Sequence, residues 1–173
     1  TFSHKESLSK FKGPLALEKI GFNNKVQKGE SVVIKTHFGA LENVRYLRPS
    51  YIRFLCDYVK SLGAVPSVAE SCGWGAPEEV TGIHTEYSGR ASEDEYLETA
   101  KMHGFTKETM GAELLMLDGR VGINNIKHRI NGKRFNEVLV AGRLKEFDHM
   151  VLATHFKGHA GGGFGGALKN LGI

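Results

Sequence analysis

Four short apolar runs, each bounded by turn-forming residues, constrain this chain more than any other feature: Ser31 to Thr36, Val65 to Ser71, Glu113 to Asp118, and His149 to Thr154. Continuous apolar runs of this length are the pattern of strands buried on both faces of a parallel sheet. Helical patterns lie between them. From Pro49 to Leu62, apolar residues Ile52, Leu55, Cys56, Val59 and Leu62 recur at three- and four-residue steps. Pro49 suits a first helical position and Gly63 supplies the stop. Ser92 followed three residues later by Glu95 has capping-box spacing, and the helix it opens runs to Gly104. The alternation predicts an α/β fold, a mostly parallel sheet with helices on both faces. Asn131-Gly132, set between Ile126 to Ile130 and Lys133 to Val140, predicts an inserted β-hairpin with a two-residue turn.

Residues 1–30 read as an N-terminal helical segment, with a helix pair broken at Gly13-Pro14. Residues 72–91 read as one long loop, interrupted by Gly73, Gly75, Pro77, Gly82 and Gly89. The chain has 173 residues, 40% of them apolar and 24% charged, which suits one domain with a real core and excludes disorder. No run approaches the roughly 18 apolar residues of a membrane span, and no basic region leads into an apolar stretch at the N-terminus. A cytoplasmic protein without membrane contact is the expectation. The chain opens on Thr1 and stops at Ile173 as a helix begins, so it reads as a portion of a longer protein.

Two of the strands run into the same tripeptide. Val32 to Thr36 leads to His37-Phe38-Gly39, and Met150 to Thr154 leads to His155-Phe156-Lys157-Gly158. In open parallel sheets, ligands bind beyond the carboxyl ends of the strands. Those ends would carry His37, then Glu70 and Cys72, then Asp118, then His155, with His159 four residues beyond. Imidazole and carboxylate suit a transition metal or proton transfer. His37, His155, His159 and Glu70 are the candidate metal ligands, and His37, His155 and Lys157 the candidate catalytic groups. Each imidazole can equally cap its own strand by bonding a backbone carbonyl. Cys56 and Cys72 have no Cys-x-x-Cys spacing, so they form neither a disulfide framework nor a cluster site.

Glycine is concentrated at the end of the chain, with seven of 22 in the last sixteen residues. Gly158, Gly161, Gly162, Gly163, Gly165 and Gly166 precede Lys169 and Asn170 at the entrance to a helix. Glycines allow close backbone approach and a helix start offers free N–H groups, so this stretch is expected to cradle an anion; a flexible loop is the alternative. Arg48, beside the first Thr-His-Phe, joins the expected anion-binding set on position alone. No Gly-Lys-Ser/Thr follows, which argues against a nucleoside-triphosphate loop. Residues 126–173 carry eight Lys/Arg against three Asp/Glu. That excess is small and lacks aromatic stacking residues, so nucleic acid is an unlikely partner.

The run His155-Phe156-Lys157-Gly158-His159 with Gly163-Phe164-Gly165-Gly166-Ala167-Leu168-Lys169-Asn170-Leu171-Gly172 resembles domain-of-unknown-function family 362. Lys35-Thr36-His37-Phe38-Gly39, Tyr46-Leu47-Arg48-Pro49, Leu97-Glu98-Thr99-Ala100, His103-Gly104-Phe105, Asp118-Gly119 and Asn131-Gly132-Lys133 carry the likeness over roughly residues 31–173. Members are often described as iron-sulfur or ferredoxin-associated proteins. The resemblance therefore implies a ferredoxin-type domain and an iron-sulfur cluster in a longer parent protein, with no cluster ligated by this chain. Glu70 and Cys72 replace the family's usual Asp-containing strand end, and Tyr96 stands where the family has His. Two functions follow: a redox or metal-dependent enzyme domain acting on a small anionic substrate, or a non-catalytic binding module for a phosphorylated or carboxylated cofactor.

Overall fold

The computed structural model describes residues 9–41, 43–73, 89–159 and 162–172. In chain order the elements are α1 (Ser9–Lys19), a 3-10 turn (Phe22–Asn24), β1 (Ser31–Thr36), α2 (Pro49–Ser61), β2 (Val65–Glu70), α3 (Glu93–Met102) and α4 (Lys107–Met110). They continue with β3 (Glu113–Met116), β4 (Asn125–Arg129), β5 (Glu137–Ala141), a second 3-10 turn (Gly142–Glu146), β6 (His149–Ala153), β7 (Lys157–His159), β8 (Gly163–Gly165) and α5 (Ala167–Leu171). The four apolar runs become one parallel sheet in the order β3-β2-β1-β6. The fold is α/β, with antiparallel hairpins β4-β5 and β7-β8 beside the sheet.

Strand periodicity divides the core. Val32 and Ile34 of β1 face a large cluster with Val68, Ile52, Cys56, Val59, Tyr96, Ala100 and Met110. This is where α1, α2 and α3 pack. Val33 points the other way, into a smaller cluster with Ala69, Leu115 and Leu117, covered by Ala141, Leu144, Phe147 and Met150. The second 3-10 turn and the end of β5 therefore cover the second face. On that side Lys35 follows Val33 and meets Asn170 of α5.

Three local details differ from the pattern read off the chain. The β4-β5 hairpin forms, but Arg129 pairs with Glu137 and the Ile130 N–H donates to the Asn136 carbonyl, so Asn131-Gly132 lies within a longer loop. At the other end of the chain, α1 runs through Gly13-Pro14 without a break. Gly13 lies at the contact with α2: a Cβ there would lie 2.8 Å from Leu55 Cδ2, so the missing side chain lets α1 close on α2. Ser92 caps α3 by accepting from the Glu95 N–H at 3.3 Å, but Glu95 reaches back to the Ala91 N–H rather than to Ser92. Of the long loop, residues 74–88 lie outside the described residues.

Candidate functional site

The strand order sets the ends of β2, β1 and β6 side by side. From β1 the chain moves to β2 and β3 on one side, while β6 adds on the other. At such a reversal the connections diverge and leave a crevice beyond the carboxyl ends. A cleft of about 50 Å³ opens there, walled by His37, Glu70, Arg90, Tyr96, His155, Lys157, Lys169 and Asn170.

Glu70 is its centre. Oε2 accepts from Lys35 Nζ at 2.7 Å and from the Ser71 N–H at 2.7 Å, while Oε1 lies 3.2 Å from His37 Nδ1. Burial by itself raises the Glu70 pKa, but the His37 hydrogen bond and the Lys35 charge outweigh it and hold the carboxyl below its ordinary value. An ionised carboxylate only accepts, so His37 Nδ1 carries the hydrogen and donates it. Burial pushes the His37 pKa below its ordinary value, against the pull of Glu70. At neutral pH the ring is uncharged and Nε2 is its lone-pair nitrogen. A carboxylate that fixes an imidazole in this way serves general bases and metal ligands alike. The Tyr96 hydroxyl oxygen lies 2.9 Å from the same Nδ1 and can only share that nitrogen's hydrogen as a second acceptor, and burial together with Glu70 keeps the phenol protonated far into the alkaline range.

The other walls are cationic. Burial lowers the Lys157 pKa, helped by the neighbouring charges of Lys169 and Arg90. Burial also lowers that of Lys169, opposed by Glu70 and aided by Arg90 and Lys35. Among the described lining residues Glu70 is the one carboxylate, and Lys35 already neutralises it. No carboxylate among the described lining residues balances Arg90, Lys157 and Lys169.

The glycine-rich stretch shapes this wall differently from a backbone cradle. It folds as the β7-β8 hairpin, and α5 after it has five residues, so the cations at the cleft are side chains rather than helix N–H groups. Gly165 and Gly166 line the cleft. A Cβ on Gly165 would lie 3.6 Å from Lys169 Cδ and 3.7 Å from Lys157 Cγ, so this glycine seats both lysine stems. Gly158 has open space around its Cβ position, and Gly163 takes φ +67° at the hairpin turn. The Gly162 N–H donates to His159 Nδ1 at 2.9 Å. These three, and exposed His159, belong to the hairpin rather than to the lining. Gly161 lies outside the described residues.

Asn170 ties the hairpin and α5 to the sheet. It accepts from Lys35 Nζ at 3.3 Å and donates to the Lys35 carbonyl at 3.2 Å and to Thr154 Oγ1 at 3.0 Å. His155 lines the cleft with a buried Nδ1 that has no hydrogen-bond partner. Arg48 sits exposed at the N-cap of α2, away from the lining.

Among the described residues, no three of His, Cys, Asp and Glu group to hold a metal ion. The reason is visible in the partners: Glu70 is occupied by Lys35, Ser71 and His37, and His159 is turned to its own hairpin. An iron-sulfur cluster does not fit these residues either, since it needs several thiolates. Cys56 is buried on α2 and Cys72 lies by the Gly119 carbonyl, each with its thiol pushed up to about 12 by burial.

Three residues in or beneath the cleft have no place in the strand-end reading. Lys35 has a signal, a lone charge inside a buried apolar strand. Tyr96 arrives because its ring packs edge-on against Phe38 at 5.6 Å. Arg90 precedes α3 with no pattern that marks it.

Fold and site together define a parallel α/β domain with a cationic, histidine-bearing cleft at the carboxyl edge of its sheet. The chain belongs to the Domain of unknown function (DUF362) family, whose model matches residues 32–173. No curated protein and no solved structure matches it. Among the described residues no helix is long and apolar enough to cross a membrane.

Proposed function

We propose that the cleft binds a small phosphorylated or carboxylated ligand and that His37, held by Glu70, exchanges a proton with it. The observation that carries this is the meeting of three cations, Arg90, Lys157 and Lys169, which no carboxylate balances among the described lining residues, with a neutral imidazole that Glu70 orients. Lys157 and Lys169 would hold the anion and His37 Nε2 would accept the proton. A transition metal would have His37 and His155 as its protein ligands here, short of the three or four donors that zinc sites use. Proton transfer needs no further donor, and so it is the preferred reading. The unpaired cysteines suit a reducing compartment, and we place the protein in the cytoplasm.

The test is calorimetric titration with sulfate, an anion with no titrating proton of its own at pH 7, in two buffers of different ionisation enthalpy. An anion beside neutral His37 raises its pKa, so binding should take up protons in the wild type and not in His37→Gln. Lys157→Gln should weaken binding about tenfold. Binding without proton uptake, or with equal uptake in His37→Gln, would leave a binding module with His37 as a strand cap. Absence of binding would remove the anion site.

A further inference from the structure

We infer that the group seated in this cleft is a phosphoryl dianion rather than a carboxylate; this rests on the anion-binding reading above and narrows it. Four cations, Lys35, Arg90, Lys157 and Lys169, surround one carboxylate, Glu70. Lys35 and Glu70 cancel each other at 2.7 Å with both side chains buried, so neither calls for a ligand. The remaining three are each partly withdrawn from water and repel one another. A single negative charge would leave two of them uncompensated. A dianion offsets two of the three and leaves one.

Shape points the same way. The three cations come from three separate segments: Arg90 ahead of α3, Lys157 on β7 and Lys169 on α5. They converge on one cleft from different directions rather than forming one flat fork. A carboxylate offers two oxygens in a plane, whereas a phosphoryl group offers three terminal oxygens around a tetrahedral centre. The number and spread of the cations match the second. Gly165 is part of this arrangement: the stems of Lys157 and Lys169 both lie within contact distance of its Cβ position, and both lysines line the cleft. A volume of about 50 Å³ takes a group the size of a few water molecules, enough for a phosphoryl head.

The experiment is calorimetric titration of the chain at pH 8 and constant low salt with four probes: methyl phosphate, inorganic phosphate, dimethyl phosphate and acetate. The first two carry two charges at that pH, and the last two carry one. The dianions should bind about tenfold or more tighter than dimethyl phosphate and acetate. Lys157→Gln and Lys169→Gln, which keep most of the stem on Gly165, should each remove most of that preference. Methyl phosphate above inorganic phosphate marks an ester as the ligand, and the reverse order marks free phosphate; both orders uphold the dianion. Dimethyl phosphate or acetate binding as tightly as methyl phosphate would overturn the inference and leave the anion site standing. Failure of all four probes to bind would overturn both.

Discussion

Lys35 Nζ and Glu70 Oε2 form an ion pair at 2.7 Å, with 3% and 5% of their side chains exposed, where β1 and β2 end side by side. The pair supplies no net charge to the cleft, yet it holds the groups that do the work: Glu70 orients His37, and Lys35 anchors Asn170 and with it α5. Glu70→Ala strips Lys35 of its buried counter-charge and should cost about 3–5 kcal/mol in urea unfolding. A loss under about 1 kcal/mol would mean that the pair is solvated in the folded protein.

Stability should fall on acidification in two stages. His37 titrates below its ordinary value of 6.5 in the folded chain. Between the unfolded and folded values the unfolded chain binds more protons, so stability drops as pH falls from about 6.5 through the folded value. Glu70, also lowered, contributes stability above its ordinary value of 4.5 that is lost as pH falls through its folded value. Thermal midpoints measured from pH 8 to 2 should show both stages, and His37→Gln should flatten the first. An unchanged first stage in that variant would place the titrating group elsewhere.

The glycines that follow the two Thr-His-Phe motifs should respond in opposite ways. Gly39 has φ +91°, and a Cβ there would lie 2.9 Å from the Tyr46 ring and 3.0 Å from His103 Nδ1, which itself bonds the Phe38 carbonyl at 2.7 Å. Gly39→Ala should cost about 1–3 kcal/mol by chemical denaturation. Gly158→Ala meets open space and should stay within about 0.5 kcal/mol of the wild type. Equal effects at both positions would mean that the repeated motif has one structural role.

Loss of Asn170 should be felt at a distance. Its side chain makes three hydrogen bonds that join α5 to β1 and to Thr154, while Leu168 and Leu171 on the same helix are largely exposed. Asn170→Ala should therefore release α5 and Lys169, raising amide exchange over residues 166–172 and weakening phosphate about fivefold or more. Unchanged exchange there would show that apolar packing holds the helix.

The sheet and part of the cleft were legible because buried strands announce themselves. The first run begins and ends as β1 does, and His37, Glu70 and His155 reach the site because they stand at the ends of adjacent strands. Asp118 stands at the end of edge strand β3 and instead accepts from the Cys72 N–H at 2.9 Å. The tail was harder to read. Glycine content announces freedom of the backbone, but whether that freedom makes a helix-capping cradle or a hairpin depends on pairing between residues such as Lys157 and Gly165. Tyr96 is placed by packing against Phe38 and Arg90 by its carbonyl accepting from the Gly73 N–H at 2.9 Å, which no local pattern records. The Asn131-Gly132 signal failed for a similar reason. Gly132 does not take the positive φ that a two-residue turn requires, and a Cβ there would crowd the Phe135 carbonyl at 2.7 Å.

The most direct measurement is a crystal soaked in tungstate, a tetrahedral dianion whose anomalous scattering locates it. The account expects one strong peak in the cleft, among Arg90, Lys157 and Lys169 and beside His37, lost in a Lys157→Gln/Lys169→Gln double variant. An empty cleft with tungstate bound instead at the exposed basic residues of the β4-β5 hairpin would contradict it.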